Sequence, residues 1–129
     1  MSIPDDWRAD ALDRAEVMLN TVGGVKDEAP LEEVMDEWDA ILQGYQTPEL
    51  LPILDDVYEE AQANPEYNFA AHLAFRIMEW GDERLVKLEE RQENTSEKAF
   101  SVQTIFRAAF EYLEAMELHF RTVQGEAQA

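Results

Sequence analysis

Carboxylates are the most abundant reactive groups in this chain of 129 residues, and "PLEEVMDEWDAIL" (residues 30–42) sets five of them, Glu32, Glu33, Asp36, Glu37 and Asp39, within thirteen positions. "ELLPILDDVYEEAQA" (residues 49–63) adds Asp55, Asp56, Glu59 and Glu60. Clustered carboxylates can ligate a divalent cation, act as general acid and base, or present a negative surface to a cationic partner. Helical phase separates these chemistries. With Leu31 as zero at about 100° per residue, Leu31, Val34, Met35, Trp38, Ile41 and Leu42 span about 280° through 0° to about 40°, whereas the acids lie between about 80° and 240°. With Leu50 as zero, the apolar set from Leu50 to Ala61 spans about 300° to 100°, and Asp55, Asp56, Glu59 and Glu60 fall between about 140° and 280°. Both runs are therefore expected to turn their acids away from the core.

That phase counts against an interior metal centre. Di-metal and pyrophosphohydrolase-type bundles need carboxylates projecting inward from facing helices, often as Glu-x-x-His. No Glu-x-x-His occurs here, and the chain has only two histidines. Like charges at i,i+4, such as Glu32 with Asp36 or Asp55 with Glu59, each cost a few tenths of a kcal/mol in an isolated helix. Local helix stability does not account for the pattern.

Two further sets place titratable groups at helical spacing. In "EYLEAMELH", Glu111 and Glu114 fall off the apolar stripe of the last helix, and Glu117 stands i,i+4 from Arg121, the spacing of a surface ion pair. His119 reads as a boundary residue beside Tyr112. The other set is a narrow polar strip on an otherwise apolar helix: His72, Arg76 and Glu79 at i, i+4 and i+7. An arginine there could bind an anion, with the histidine and glutamate available for acid–base work; a solvated seam or an Arg76–Glu79 pair is the plainer reading. The three serines, Ser2, Ser96 and Ser101, sit at termini, caps or a first turn, outside any nucleophile-elbow context. No phosphate-cradling glycine loop is present.

Composition narrows the classes further. Residues 1–66 hold 18 acids and 3 bases, and residues 67–129 hold 11 acids and 7 bases, which places most of the net charge of −19 in the first half. Such a field repels phosphate backbones and anionic lipid, so no direct nucleic-acid or membrane binding is expected; it attracts basic proteins. Absence of cysteine excludes disulfides, thiolate zinc sites and thiol nucleophiles. The acidic start "MSIPDDWRADALDR" lacks the basic region of a signal peptide, and no apolar run approaches the ~18 residues of a membrane span, so a cytoplasmic protein is expected.

The elements that must carry these residues are helices throughout, because no segment alternates with period two. The first is predicted from Asp5 or Asp6 to Val22, stopped by a left-handed Gly23-Gly24. The second runs from Pro30 or Leu31 to near Gly44, and the third opens on Thr47 and Pro48. Asn64 and Pro65 repeat that cap-then-proline signature and open a central hydrophobic helix over about 65–80, which Gly81 ends or kinks before a further stretch, "DERLVKLEERQE". A long C-terminal helix covers about 96–124, with Phe100 and Leu118 falling off its apolar stripe as exposed candidates for a homodimer or partner contact. "EWGDERLVKLEE" resembles one helical-hairpin repeat turn, but a solenoid needs about three copies.

The expected architecture is a single all-α domain over residues 1–129, a compact bundle of five to six helices. The expected function is non-enzymatic: an inhibitor, immunity protein, adaptor or nucleic-acid mimic that binds a basic protein through Glu32, Glu33, Asp36, Glu37, Asp39, Asp55, Asp56, Glu59 and Glu60. No catalytic residue, metal or cofactor is assigned. The alternatives are a helical enzyme or small-ligand protein built on His72, Arg76 and Glu79, with or without a divalent cation, and a chain whose acidity serves only solubility in salt.

Overall fold

The computed structural model describes residues 5–23, 31–42, 50–64, 68–93 and 96–128, with side chains described at these positions other than 5, 31, 32, 34, 35, 41, 42, 51 and 123–128. Among the described residues five helices follow one another: α1 (Asp5–Val22), α2 (Leu31–Leu42), α3 (Leu51–Ala63), α4 (Phe69–Glu90) and α5 (Glu97–Gln128). Among the described residues there is no strand.

Helix α4 is the centre of the bundle. Phe69, Ala70, Ala71, Leu73, Ala74, Ile77, Met78, Gly81, Leu85 and Leu88 are buried around its circumference, as its nearly continuous apolar sequence requires. It packs on α5 and α1, and α3 lies against it. Leu85 and Leu88 cluster with Ala99 and Val102 beside the α4–α5 turn, while Gly81 meets Phe106 one to two turns further from it, so the two helices run antiparallel. Helix α1 is antiparallel to α4 as well, its start tied to Asp82 and Glu89 and its end to Asn68. Trp7 joins α1 to α5, meeting the rings of Phe106 and Phe110 edge-on at 5.8 Å each. Helix α2 is held against α5 by Trp38, which is fully buried and stacks at a tilt on Tyr112 with centroids 5.2 Å apart.

The central helix differs from its sequence expectation at both ends. It does not begin at Asn64–Pro65. Asn64 instead closes α3, its backbone N–H and its Nδ2 both donating to the Glu60 carbonyl, and Asn68 is the N-cap of α4, its Oδ1 accepting from the Ala71 N–H at 3.1 Å. Two asparagines four apart offer the same local chemistry, and burial of Asn68 against Gly23 chooses between them. Nor does Gly81 stop the helix. A Cβ there would stand 3.2 Å from Phe106, so the glycine lets α5 approach α4 closely, and packing on both sides of it outweighs its weak helix propensity of about 1 kcal/mol. The helix continues to Glu90, so "DERLVKLEE" belongs to α4 and forms no separate helix. It ends with Gln92 in the left-handed region at φ 59°, where the Glu93 N–H reaches the Leu88 carbonyl and the Gln92 N–H reaches the Glu89 carbonyl.

Other boundaries shift less. Ser96 caps α5, its Oγ accepting from the Ala99 N–H, and the helix extends to Gln128 rather than about 124. Helix α3 starts after Leu50, which makes no side-chain cap; Thr47 and Pro48 lie outside the described residues, as do Gly24, Gly44 and Pro65. Gly23 is not left-handed. It is needed for space, since a Cβ would fall 2.5 Å from the Leu19 carbonyl oxygen and 3.0 Å from His72 Nε2.

Candidate functional site

The phase expected of α2 is the phase observed. Trp38 is fully buried, and Glu33, Asp36, Glu37 and Asp39 are exposed; the side chain of Glu32 is outside those described. On α3, Leu54, Val57 and Ala61 are buried, and Asp55, Asp56, Glu59 and Glu60 are exposed. A helix with one apolar stripe buries that stripe and rotates the remaining residues into water. The two acidic helices rest on different supports, α2 on α5 and α3 on α4.

What distinguishes these acids is how little positive charge lies near them in the chain. No lysine or arginine occurs between Lys26 and Arg76. The ion pairs described instead join cations to acids of α4 and α5: Arg8 with Asp82 and Glu89, Arg14 with Glu114, Lys87 with Glu83, and Arg121 with Glu117. Among the described residues none of Glu33, Asp36, Glu37, Asp39, Asp55, Asp56 or Glu59 enters an ion pair. Glu37 has one polar contact, accepting from the Tyr112 hydroxyl at 3.2 Å, which orients the head of that carboxylate. At these seven positions the outer faces of α2 and α3 carry negative charge outside any described ion pair, able to attract cations and cationic surfaces.

The strip on α4 is divided rather than gathered. His72 is half-buried and turned to the end of α1, where its Nε2 lies 3.2 Å from the Gly23 carbonyl. A carbonyl only accepts, so the bond requires Nε2 to carry the proton. Arg76 is half-buried and Glu79 exposed, and among the described residues no ion pair joins them. Two described cavities lie elsewhere: a shallow groove of about 500 Å³ between α1 and α5, bordered by Arg14, Met18, Leu118 and Arg121, and one of about 230 Å³ beside Trp80, Arg84 and Lys87. Among the described residues no three His, Asp or Glu side chains are placed to hold a metal ion.

Burial lowers the pKa of His72 below its usual 6.5, against smaller opposing effects of the Gly23 carbonyl and the charge of Glu60. Because the folded-state pKa is depressed, the unfolded chain binds the proton more readily. The contribution of neutral His72 is then fully present above pH 6.5 and is lost as pH falls through that value. Urea midpoints at pH 7.5 and pH 5.5, compared between the parent and His72→Gln, should show a larger acid-side loss in the parent. An equal change in both proteins would mean that His72 is not the titrating group.

Sequence reasoning missed Arg8. Its guanidinium is 1% exposed and clamps α1 to the distal half of α4, with Nη2 3.2 Å from Glu89 Oε1 and Nη1 3.5 Å from Asp82 Oδ1. A signal was available, since Arg8 is in helical phase with Ala11, Ala15 and Val22, all buried. Three acids share "DDWRAD" with it, and an arginine among exposed carboxylates is ordinarily solvated.

Comparison with known proteins adds no family: no protein-family model matches the chain, and neither does any curated protein or solved structure. Among the described residues no helix is long and apolar enough to cross a membrane.

Proposed function

We propose that this is a small, non-enzymatic interaction protein that binds a basic protein surface through the outer faces of α2 and α3. The observation that carries this is the lack of compensation: acids on two packed helices, at like-charge spacings that weaken an isolated helix, with no ion pair among the described residues at Glu33, Asp36, Glu37, Asp39, Asp55, Asp56 or Glu59. Packed helices hold the charges at set positions, so a complementary pattern of lysines and arginines would meet them with little ordering cost. Such a role suits an inhibitor, an immunity protein, an adaptor or a mimic of nucleic acid.

Electrostatic steering predicts fast association that slows by on the order of tenfold or more as salt rises from about 50 to 500 mM. Reversal of four acids, Glu33, Asp36, Asp55 and Glu59, to lysine should abolish capture of the partner. On α2 these substitutions turn the Glu32/Asp36 and Glu33/Glu37 repulsions into attractions, and on α3 the Asp55/Glu59 pair exchanges one like-charge repulsion for another, so the unfolding midpoint should hold or rise. Partners retained equally at low and high salt, or by the reversed protein, would rule the acidic faces out.

The reading built on His72, Arg76 and Glu79 has less support, because His72 is turned to Gly23 and none of the three lines either described cavity. A thermal shift with Mg²⁺, Mn²⁺ or a phosphorylated ligand would revive it. Acidity serving solubility alone predicts a melting temperature that climbs steadily with salt and no partner at all.

A further inference from the structure

The outer face of α5 carries a different pattern. Helix α1 covers one flank of α5 through Trp7 and Arg14, α2 covers another through Trp38, and α4 lies beneath. Between α1 and α2 a seam of Phe100, Thr104, Arg107, Glu111, Leu118 and Thr122 runs along the helix at spacings of about three to four residues or their multiples, with Ala115 beside it. Among the described residues no helix covers this seam. Its two large apolar side chains, Phe100 and Leu118, are 62% and 68% exposed.

Four residues of the seam pair off about its centre. Phe100 and Leu118 are 18 positions apart, five full turns or about 27 Å, so they share one azimuth. Arg107 and Glu111 lie equally far inside them, around a midpoint at the level of Ala109. Both charged side chains are exposed, and although they stand i,i+4 they make no ion pair with one another; the Arg107 guanidinium instead lies 5.3 Å over the Trp7 ring. A sequence apolar at its ends and oppositely charged across its centre is self-complementary under a two-fold axis, the operation that relates most homodimers.

We propose that α5 is the interface of a homodimer in which two copies of the helix cross antiparallel at the level of Ala109. Phe100 then lies over the partner's Leu118, beside the groove of about 500 Å³ that Arg14 and Met18 of α1 form with Leu118 and Arg121 of α5. Arg107 faces the partner's Glu111, and the two-fold repeats each contact. Ala115 and Thr104 are small enough for the helices to approach closely. The seam holds one cation and one anion of its own, so it is locally neutral in a chain of net charge −19, and it contains none of the acids assigned above to a basic partner. A single helix pair of this length falls at the small end of specific interfaces, below about 1,200 Å², which makes the dimer weak and its formation dependent on screening the remaining charge.

Sedimentation equilibrium of the full chain, from roughly 10 µM to 1 mM in about 0.5 M NaCl, where the Debye length is about 4 Å, reads the association directly. A concentration-dependent monomer–dimer equilibrium is expected. Phe100→Ser and Leu118→Ser should each raise the dissociation constant by about tenfold or more, with unchanged circular dichroism because both side chains already face water. Arg107→Glu should weaken the dimer, and R107E/E111R should restore it, since reversing both charges regenerates the same complementary pair. A chain monomeric at the highest concentration overturns the proposal. So does undiminished association of F100S, or an R107E/E111R protein no tighter than R107E.

Discussion

Replacing Trp38 by alanine should lower stability by roughly 3–5 kcal/mol, the range for emptying a large aromatic site in a core. Trp38 is fully buried and is the described side chain by which α2 enters the main hydrophobic cluster. Alanine would leave a void against Tyr112 and loosen α2 from α5, taking with it the platform that holds Glu33, Asp36, Glu37 and Asp39 in place. Against a total stability of about 5–15 kcal/mol for a domain, the variant should unfold at a much lower urea concentration. Trp38→Phe is the informative companion. The indole Nε1 is buried without a hydrogen-bond partner among the described residues, so phenylalanine removes ring volume and an unsatisfied donor together. Its expected cost is about 1–2 kcal/mol. Should W38F prove as damaging as W38A, the indole N–H has a bond that matters, and the account of this site is wrong.

The second large effect is expected at Arg8. Substitution by methionine keeps much of the side-chain length but leaves Asp82 and Glu89 without their shared cation. Breaking a buried pair from one side costs about 3–5 kcal/mol, and because these two carboxylates are 33% and 30% exposed, water recovers part of that, giving about 2–3 kcal/mol here. Urea denaturation of R8M, D82N/E89Q and the triple variant measures the coupling. The triple variant should recover much of the R8M loss, since no charge is then stranded. Loss of Arg14–Glu114 or Lys87–Glu83, both largely in water, should change stability by well under 1 kcal/mol. If removing Arg8 is as mild as removing Arg14, the guanidinium is not clamping the two helices.

These sites mark the two ends of what was legible beforehand. Trp38 is a core residue by periodicity, because it recurs with Val34, Met35 and Ile41 at steps that return to one side of a helix. The same counting turned the acids of α2 and α3 outward and left Phe100 and Leu118 in water, as the structure has them at every described position. Arg8 obeys identical periodicity, yet its charge argued for solvent. Its burial depends on two carboxylates 74 and 81 positions away, and no local window contains that information.

The helical class, the apolar stripes and the outward direction of the acids are local properties, since each depends on the 3.6-residue repeat that a short window of sequence contains. Tertiary packing decided the rest. It carried α4 through Gly81, because Phe106 needs the room that a missing Cβ leaves. It chose Asn68 over Asn64 as the cap, because Asn68 alone packs on Gly23. It buried Arg8, turned His72 to the end of α1, and set the acid faces of α2 and α3 on different supporting helices. Those outcomes rest on contacts between residues far apart in the chain, where the free energy of a close approach outweighs what any single residue prefers on its own.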